Sequence, residues 1–196
     1  MLVVFHDDTL SRMCGISKRV EDMTLPELER LHLQGSEQGI PTLDQVLAVV
    51  GGKVPLIVEI KADKRLAELC RRTRERLRDY GGTYCVESFH PLAVRWFRKH
   101  APEDIRGQLA YGLGMKRAQG KKNGVLDVFL ASLMGNALGR PDFVAHDEVS
   151  GNDLPTRLTR RMGAHLVAWT VRDPARMRAL RKKYELQIFE GFLPDD

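Results

Sequence analysis

The chain has 196 residues, 43% of them hydrophobic and 29% charged, with a formal net charge of +5. That is enough apolar material for one cored globular domain, predicted here to run over 1–196, and too much for a disordered segment. No run of about 18 apolar residues occurs, and Cys14, Cys70 and Cys85, irregularly spaced with no C-x-x-C, point to neither a disulfide framework nor a zinc site. A reducing compartment is the mild preference, so the chain as written reads as cytoplasmic. The positive balance raises nucleic acid as a partner. The basic clusters, Arg71 to Arg78 and Arg176 to Lys183, fall in helical patterns whose Leu and Ala residues form the buried stripe. They lack interleaved stacking aromatics, so no nucleic-acid binding is expected.

Along the chain, Leu2-Val3-Val4-Phe5 reads as a strand that delivers His6 and Asp7 at its carboxyl end, where α/β folds place their sites. Further strand-like runs occur at 55–61, 83–89, 105–111, 142–146, 165–171 and 186–190. Between them lie helix signals. Thr24-Leu25-Pro26-Glu27 and Thr42-Leu43-Asp44-Gln45 are capping boxes, and Pro26 in a first turn removes no needed bond. Asp173-Pro174 places an N-cap and an N1 proline at the start of the last long helix, and Pro91 does the same after 83–89. Tyr111 to Gly139 reads as a basic loop leading to an apolar helix over 125–138, a surface excursion in preference to a lid. Strands alternating with helices imply a parallel sheet with right-handed crossovers.

Side-chain alternation carries the chemistry. Glu59 and Lys61 are two residues apart at the end of Pro55-Leu56-Ile57-Val58, so both leave the same face of the strand. Two opposite charges aimed into a confined space require partners. A divalent cation on Glu59, Mg²⁺ or Ca²⁺, and a phosphodiester oxygen on Lys61 would supply them; a structural Glu59–Lys61 ion pair is the alternative. Histidine is the side chain suited to acid–base work near neutral pH, so His6 can carry a proton, or serve as a structural histidine. Asp7 reads as a turn cap or an orienting group. Phe89, Phe189 and Phe192 read as packing, Glu190 stays undecided, and His90, His100, His146 and His165 have no mutual metal spacing.

Six segments in one order, His6-Asp7-Asp8-Thr9-Leu10-Ser11-Arg12, Ile40 to Leu47, Val58-Glu59-Ile60-Lys61, Glu87-Ser88-Phe89, Ala168-Trp169-Thr170-Val171 and Ile188 to Pro194, resemble the glycerophosphodiester phosphodiesterase family over nearly the whole chain. The resemblance implies a TIM-type (β/α)8 barrel. Such a barrel takes about 250 residues, so this chain would lack roughly its first fifth, two strands bearing His-Arg-Gly and Glu-x-Asp motifs. It further implies metal-dependent hydrolysis of glycerophosphodiesters to an alcohol and glycerol 3-phosphate. His6 would be one of two catalytic histidines, Glu59 a metal ligand, Lys61 a phosphate-binding cation, and Trp169 an aromatic at the site mouth that could equally be a core ring. With the second histidine and two carboxylates lacking a counterpart, little or no turnover is expected of the chain as written. A binding module without turnover and a phospholipase acting on lipid phosphodiesters are the other readings. Membrane association or export would require a segment upstream of Met1.

Overall fold

The structure, a computed structural model, describes residues 1–61, 64–112, 133–149 and 154–194. The described residues belong to two compact units, Met1–Leu56 with Asp63–Tyr84, and Ile57–Ala62 with Cys85–Asp196.

In the first unit the local signals work as read. Thr42 caps α3 (Leu43–Val50), its hydroxyl accepting from the Gln45 N–H at 3.3 Å while the Gln45 side chain accepts from the Thr42 N–H at 2.8 Å. Glu27 closes the same kind of box at 2.7 Å on the Thr24 N–H, at the start of α2 (Leu25–Leu28). The one-turn helix α1 (Ser11–Cys14) ends at Gly15, whose φ of 70° a side chain would strain. Leu10, Leu28 and Ile40 form a small core with Val3, Phe5, Cys14 and Val20 around it. The basic run falls on α4 (Leu66–Arg78) and buries Cys70, Thr73 and Leu77. Its outward arginines meet acids, Arg71 with Glu75 at 2.6 Å and Arg76 with Asp44 at 3.3 Å.

The opening segment departs from expectation. Residues 2–6 form no strand of a parallel sheet; Val3 makes an isolated antiparallel bridge with Thr42, held by Val4 N–H to Pro41 O at 2.9 Å and Leu43 N–H to Leu2 O at 3.0 Å. A four-residue apolar run marks burial without naming its partner, and the extended Ile40-Pro41-Thr42 segment supplies the partner here. His6 therefore leaves a bridge into a turn and not the carboxyl end of a sheet strand.

The second unit carries a sheet of six strands in strict chain order: β1 (Leu56–Glu59), β2 (Tyr84–Ser88), β3 (Arg106–Ala110), β4 (Phe143–Asp147), β5 (His165–Val171) and β6 (Leu186–Phe189). Successive pairs from β2 to β6 are parallel. Crossover helices α5 (Pro91–His100), α6 (Asn136–Gly139), α7 (Leu154–Arg161) and α8 (Pro174–Leu180) lie between them. Asp173 caps α8 by accepting from the Arg176 N–H at 2.7 Å, with Pro174 in the first turn. The apolar helix expected over 125–138 lies mostly outside the described residues, as does the basic stretch before it; α6 is its described end.

Alternation divides this sheet into two buried faces, the signature of a parallel sheet covered on both sides. Leu109, Phe143, Ala145 and Val167 form one cluster with Cys85, Phe89, Trp169 and Ile188. The alternate residues Ala110, Val144, Leu166, Ala168 and Val171 face the other way, against Met177, Leu180 and Tyr184, with Phe192 alongside. Gly107 pairs with Phe143 in the parallel register. A Cβ at Gly107 would stand 2.2 Å from the Phe143 ring, which is itself buried. Gly107→Ala is therefore expected to destabilise by about 1–3 kcal/mol, read as a lower urea midpoint at unchanged slope.

Candidate active site

Glu59, Lys61, Glu87, Phe89 and Trp169 project from the carboxyl ends of β1, β2 and β5. Those ends are tied together by side-chain to backbone bonds. The Ser88 hydroxyl donates to Ile60 O at 2.6 Å and accepts from the His90 N–H at 3.0 Å. The Gln108 amide donates to Ser88 O at 2.9 Å, Phe89 O at 3.1 Å and Leu109 O at 2.9 Å. With Ile60 N–H to Glu87 O at 2.7 Å, the tips of three neighbouring strands are fixed where the charged groups emerge.

Lys61 donates to Glu59 Oε2 at 2.8 Å, and both side chains keep partial access to solvent, 35% and 26%. The same-face placement read from the sequence holds, and the two charges have met each other. Next to them stands a carboxylate given no role from the sequence. Glu87 is only 7% exposed and its Oε2 has no hydrogen-bond partner. Burial, with the negative charge of Glu59, pushes its pKa up to about 7, against the opposing pull of Lys61. Two-residue alternation on β2 places Glu87 on the face of Cys85 and Phe89. The rule that selected Glu59 and Lys61, applied to Glu87-Ser88-Phe89, would have selected it too.

Aromatic rings line the same face. Phe89 meets Trp169 edge-to-face with centroids 5.7 Å apart, and Tyr111 at 5.9 Å. The Trp169 indole N–H donates to Ala145 O at 2.9 Å, which fixes the ring. Trp169 is thus half-buried, with a packing role already visible and one part of its ring surface left over. Beyond it Asp147 is buried at the end of β4, where it accepts from the Gly112 N–H at 2.6 Å and the Val149 N–H at 3.1 Å. That leaves it a turn-organising carboxylate.

His6 belongs to the first unit and has its own partners there. Its Nδ1 lies 2.7 Å from Asp7 Oδ1, and Arg12 grips the same carboxylate with two N–H groups at 2.7 and 2.9 Å. The Arg12 guanidinium, and then His6, hold the Asp7 carboxyl well below the usual carboxylate range. Asp7 therefore orients His6 and leaves Nε2 directed outward, the orienting role weighed from sequence. The other histidines assemble nothing. His90 caps α5, His100 stacks on Trp96 at 4.6 Å, His146 is fully buried and His165 is exposed. Glu190 pairs with Arg172 at 2.5 Å.

Among the described residues no group of three or more His, Cys, Asp or Glu could hold a metal ion. Two acidic side chains, Glu59 and Glu87, act on each other, and the orphaned buried oxygen of Glu87 is of the kind a hard cation takes. No helix among the described residues is long and apolar enough to cross a membrane.

Comparison with known proteins bears on the fold and the family. Among solved structures, an Oleispira antarctica phosphodiesterase in complex with the product sn-glycerol-3-phosphate superposes with a TM-score of 0.75 at 18% identity, over 95% of this chain and 74% of that one. A glycerophosphodiester phosphodiesterase from Parabacteroides distasonis gives 0.69 at 20% identity (95% and 73% covered), and one from Thermotoga maritima 0.66 at 20% (95% and 74%). These likenesses establish the fold: an α/β parallel sheet of the kind found in that family's barrels. In sequence, a Bacillus subtilis (strain 168) protein named for glycerophosphodiester phosphodiesterase activity, YhdW, is 32% identical over 110 residues. That stretch is 52% of this chain and 45% of the relative, so the match spans less than half of the relative's length. The family model for glycerophosphoryl diester phosphodiesterases matches residues 1–184, nearly end to end. The chain therefore belongs to the glycerophosphoryl diester phosphodiesterase family, a family of phosphoric diester hydrolases.

Proposed function

We propose that the chain is a glycerophosphodiester phosphodiesterase domain over 1–196, hydrolysing small glycerophosphodiesters to an alcohol and glycerol 3-phosphate with a divalent cation, Mg²⁺ or Ca²⁺. The observation that carries this reading is the convergence of Glu59, Lys61 and Glu87 at the carboxyl ends of neighbouring strands in a sheet of that family. Barrel enzymes act at the carboxyl ends of their strands, which supports reading these three side chains as a site.

Glu59 offers the oxygen ligand. Lys61 balances the equatorial phosphate oxygens as a compact point charge. His6, its Nδ1 held by Asp7, is the residue to which the family resemblance gives proton transfer. The Trp169 face packs the glycerol moiety. When bound, the cation neutralises phosphate charge and lowers the pKa of the attacking oxygen. The product carried by the Oleispira neighbour supports the substrate class.

Turnover is expected to be slow. One carboxylate or two hold Mg²⁺ or Ca²⁺ weakly, since sites for these ions use six or more oxygens. The mutual ion pair of Glu59 and Lys61 also favours a second reading, a retained fold in which that pair is structural and nothing is turned over. Release of glycerol 3-phosphate from glycerophosphocholine by the purified chain, measured with Ca²⁺ or Mg²⁺ and again with chelator, separates the two. Cation-dependent product supports hydrolysis, and its absence at any cation concentration leaves the structural pair. In the same assay Asp7→Asn is expected to lower kcat roughly tenfold with little change in KM, as befits a residue that positions His6.

A further inference from the structure

We infer that Glu87 is an oxygen ligand for the divalent cation that Glu59 also holds, so that two neighbouring strands, β1 and β2, each contribute one carboxylate. The inference rests on the metal-dependent reading above and gives a role to the one of its three converging side chains left without one.

Three observations carry it. Glu87 is 7% exposed, yet its Oε2 accepts no hydrogen bond. Buried carboxylate oxygens are normally satisfied, because the water they give up must be replaced. The donors that could replace it are committed elsewhere. Lys61 is on Glu59 at 2.8 Å, and the Ser88 and Gln108 side chains, paired in register, leave the opposite face of the sheet and bond carbonyls there. The orphan oxygen also lies within the electrostatic reach of both Glu59 and Lys61, on the sheet face that carries Phe89 and Trp169. The ammonium whose charge reaches this carboxylate, Lys61, is already bonded to Glu59, so two hard carboxylates on adjacent strand tips share one cationic side chain and offer a divalent cation a place.

Cation binding has a consequence for Lys61. An ion drawing on Glu59 competes with the ammonium for the same oxygens and releases it toward an incoming anion. Cation and phosphodiester are then expected to bind cooperatively, since each favours the arrangement the other needs.

The test is cation binding by the whole chain in metal-free buffer at pH 8, with Mn²⁺ followed by electron paramagnetic resonance and Ca²⁺ by calorimetry. The variants are Glu59→Gln and Glu87→Gln, with circular dichroism as the check on folding. The expected result is that each substitution weakens the cation at least tenfold, and that Ca²⁺ raises the melting temperature of the parent chain but not of Glu87→Gln. Parent-like affinity in Glu87→Gln, with loss in Glu59→Gln, overturns the role of Glu87 and leaves the phosphodiesterase reading standing. Affinity unchanged in both variants, or no binding to the parent chain at millimolar Mn²⁺, overturns the pair; glycerophosphocholine hydrolysis in chelator then reports separately on the activity. Should Glu87→Gln fail to fold, Glu87→Asp replaces it, and its withdrawn carboxylate is expected to cost several-fold in affinity.

Discussion

Glu59→Gln is expected to lower kcat for glycerophosphocholine by about 10²–10³ at saturating cation, the scale of losing one principal charge-stabilising group at a reacting centre. The substitution keeps the side-chain volume and the strand, but an amide is a poor ligand for a hard cation. It also removes the negative charge that holds Lys61 at 2.8 Å, leaving only a neutral amide oxygen to accept from it. The ammonium then faces the substrate anion without a competing charge, so KM is expected to hold or fall while kcat collapses. A structural ion pair predicts the reverse pattern. Glu59→Gln would then cost modest stability, as half-exposed pairs do, and would leave whatever turnover exists untouched. Steady-state kinetics over a cation series, with a urea melt of the same sample, reads both quantities. Lys61→Met completes the cycle: if the two residues serve one transition state, the double variant is little worse than the worse single one.

Strand-and-helix order was legible in the sequence because the signals were local. Thr42 with Gln45, and Asp173 with Pro174, mark helix starts through bonds made within four residues, and these form as written. The strands from β1 onward lie inside the apolar runs that announced them, β4 alone reaching one residue further, to Asp147. What failed was the one segment whose identity depends on a distant partner. Leu2 to Phe5 is apolar enough for a sheet, but it bridges Thr42 antiparallel and stops. Periodicity reports that a face is buried and is silent on what buries it.

The site shows the same division. The pairing of Glu59 with Lys61 followed from two-residue alternation, and the orientation of His6 by Asp7 from adjacency. Arg12, five residues beyond Asp7, completes that grip from within the same motif, but its reach depends on how the turn closes. Alternation along Glu87-Ser88-Phe89 puts Glu87 on the face of Phe89, but that its carboxylate is buried beside Glu59 follows only from the strand order that sets β2 next to β1.

That burial yields the second large effect: in chelator, Glu87→Gln is expected to be more stable than the parent chain above pH 7 and about 1 kcal/mol less stable near pH 4. The folded-state pKa of about 7 lies above the ordinary value of 4.5, so between these values the native state binds more protons than the unfolded chain. Stability must then fall as pH rises from about 4.5 to 7 and level off above, by about 1.4 kcal/mol for each unit of separation. The full effect is about 3 kcal/mol. A buried amide that finds no partner of its own returns about 1 kcal/mol of that gain, leaving Glu87→Gln ahead by roughly 2 kcal/mol at pH 8, or about 4–8 °C in melting temperature for a chain of this size. Urea denaturation at pH 5 and pH 8 decides it. Parallel pH profiles for parent and variant would show that the Glu87 carboxyl is hydrated in the folded chain and titrates as an ordinary acid. A gap that opens between pH 5 and 7 in chelator, and closes when Ca²⁺ is restored to the parent chain, would tie the cost of this buried charge to the ion that relieves it.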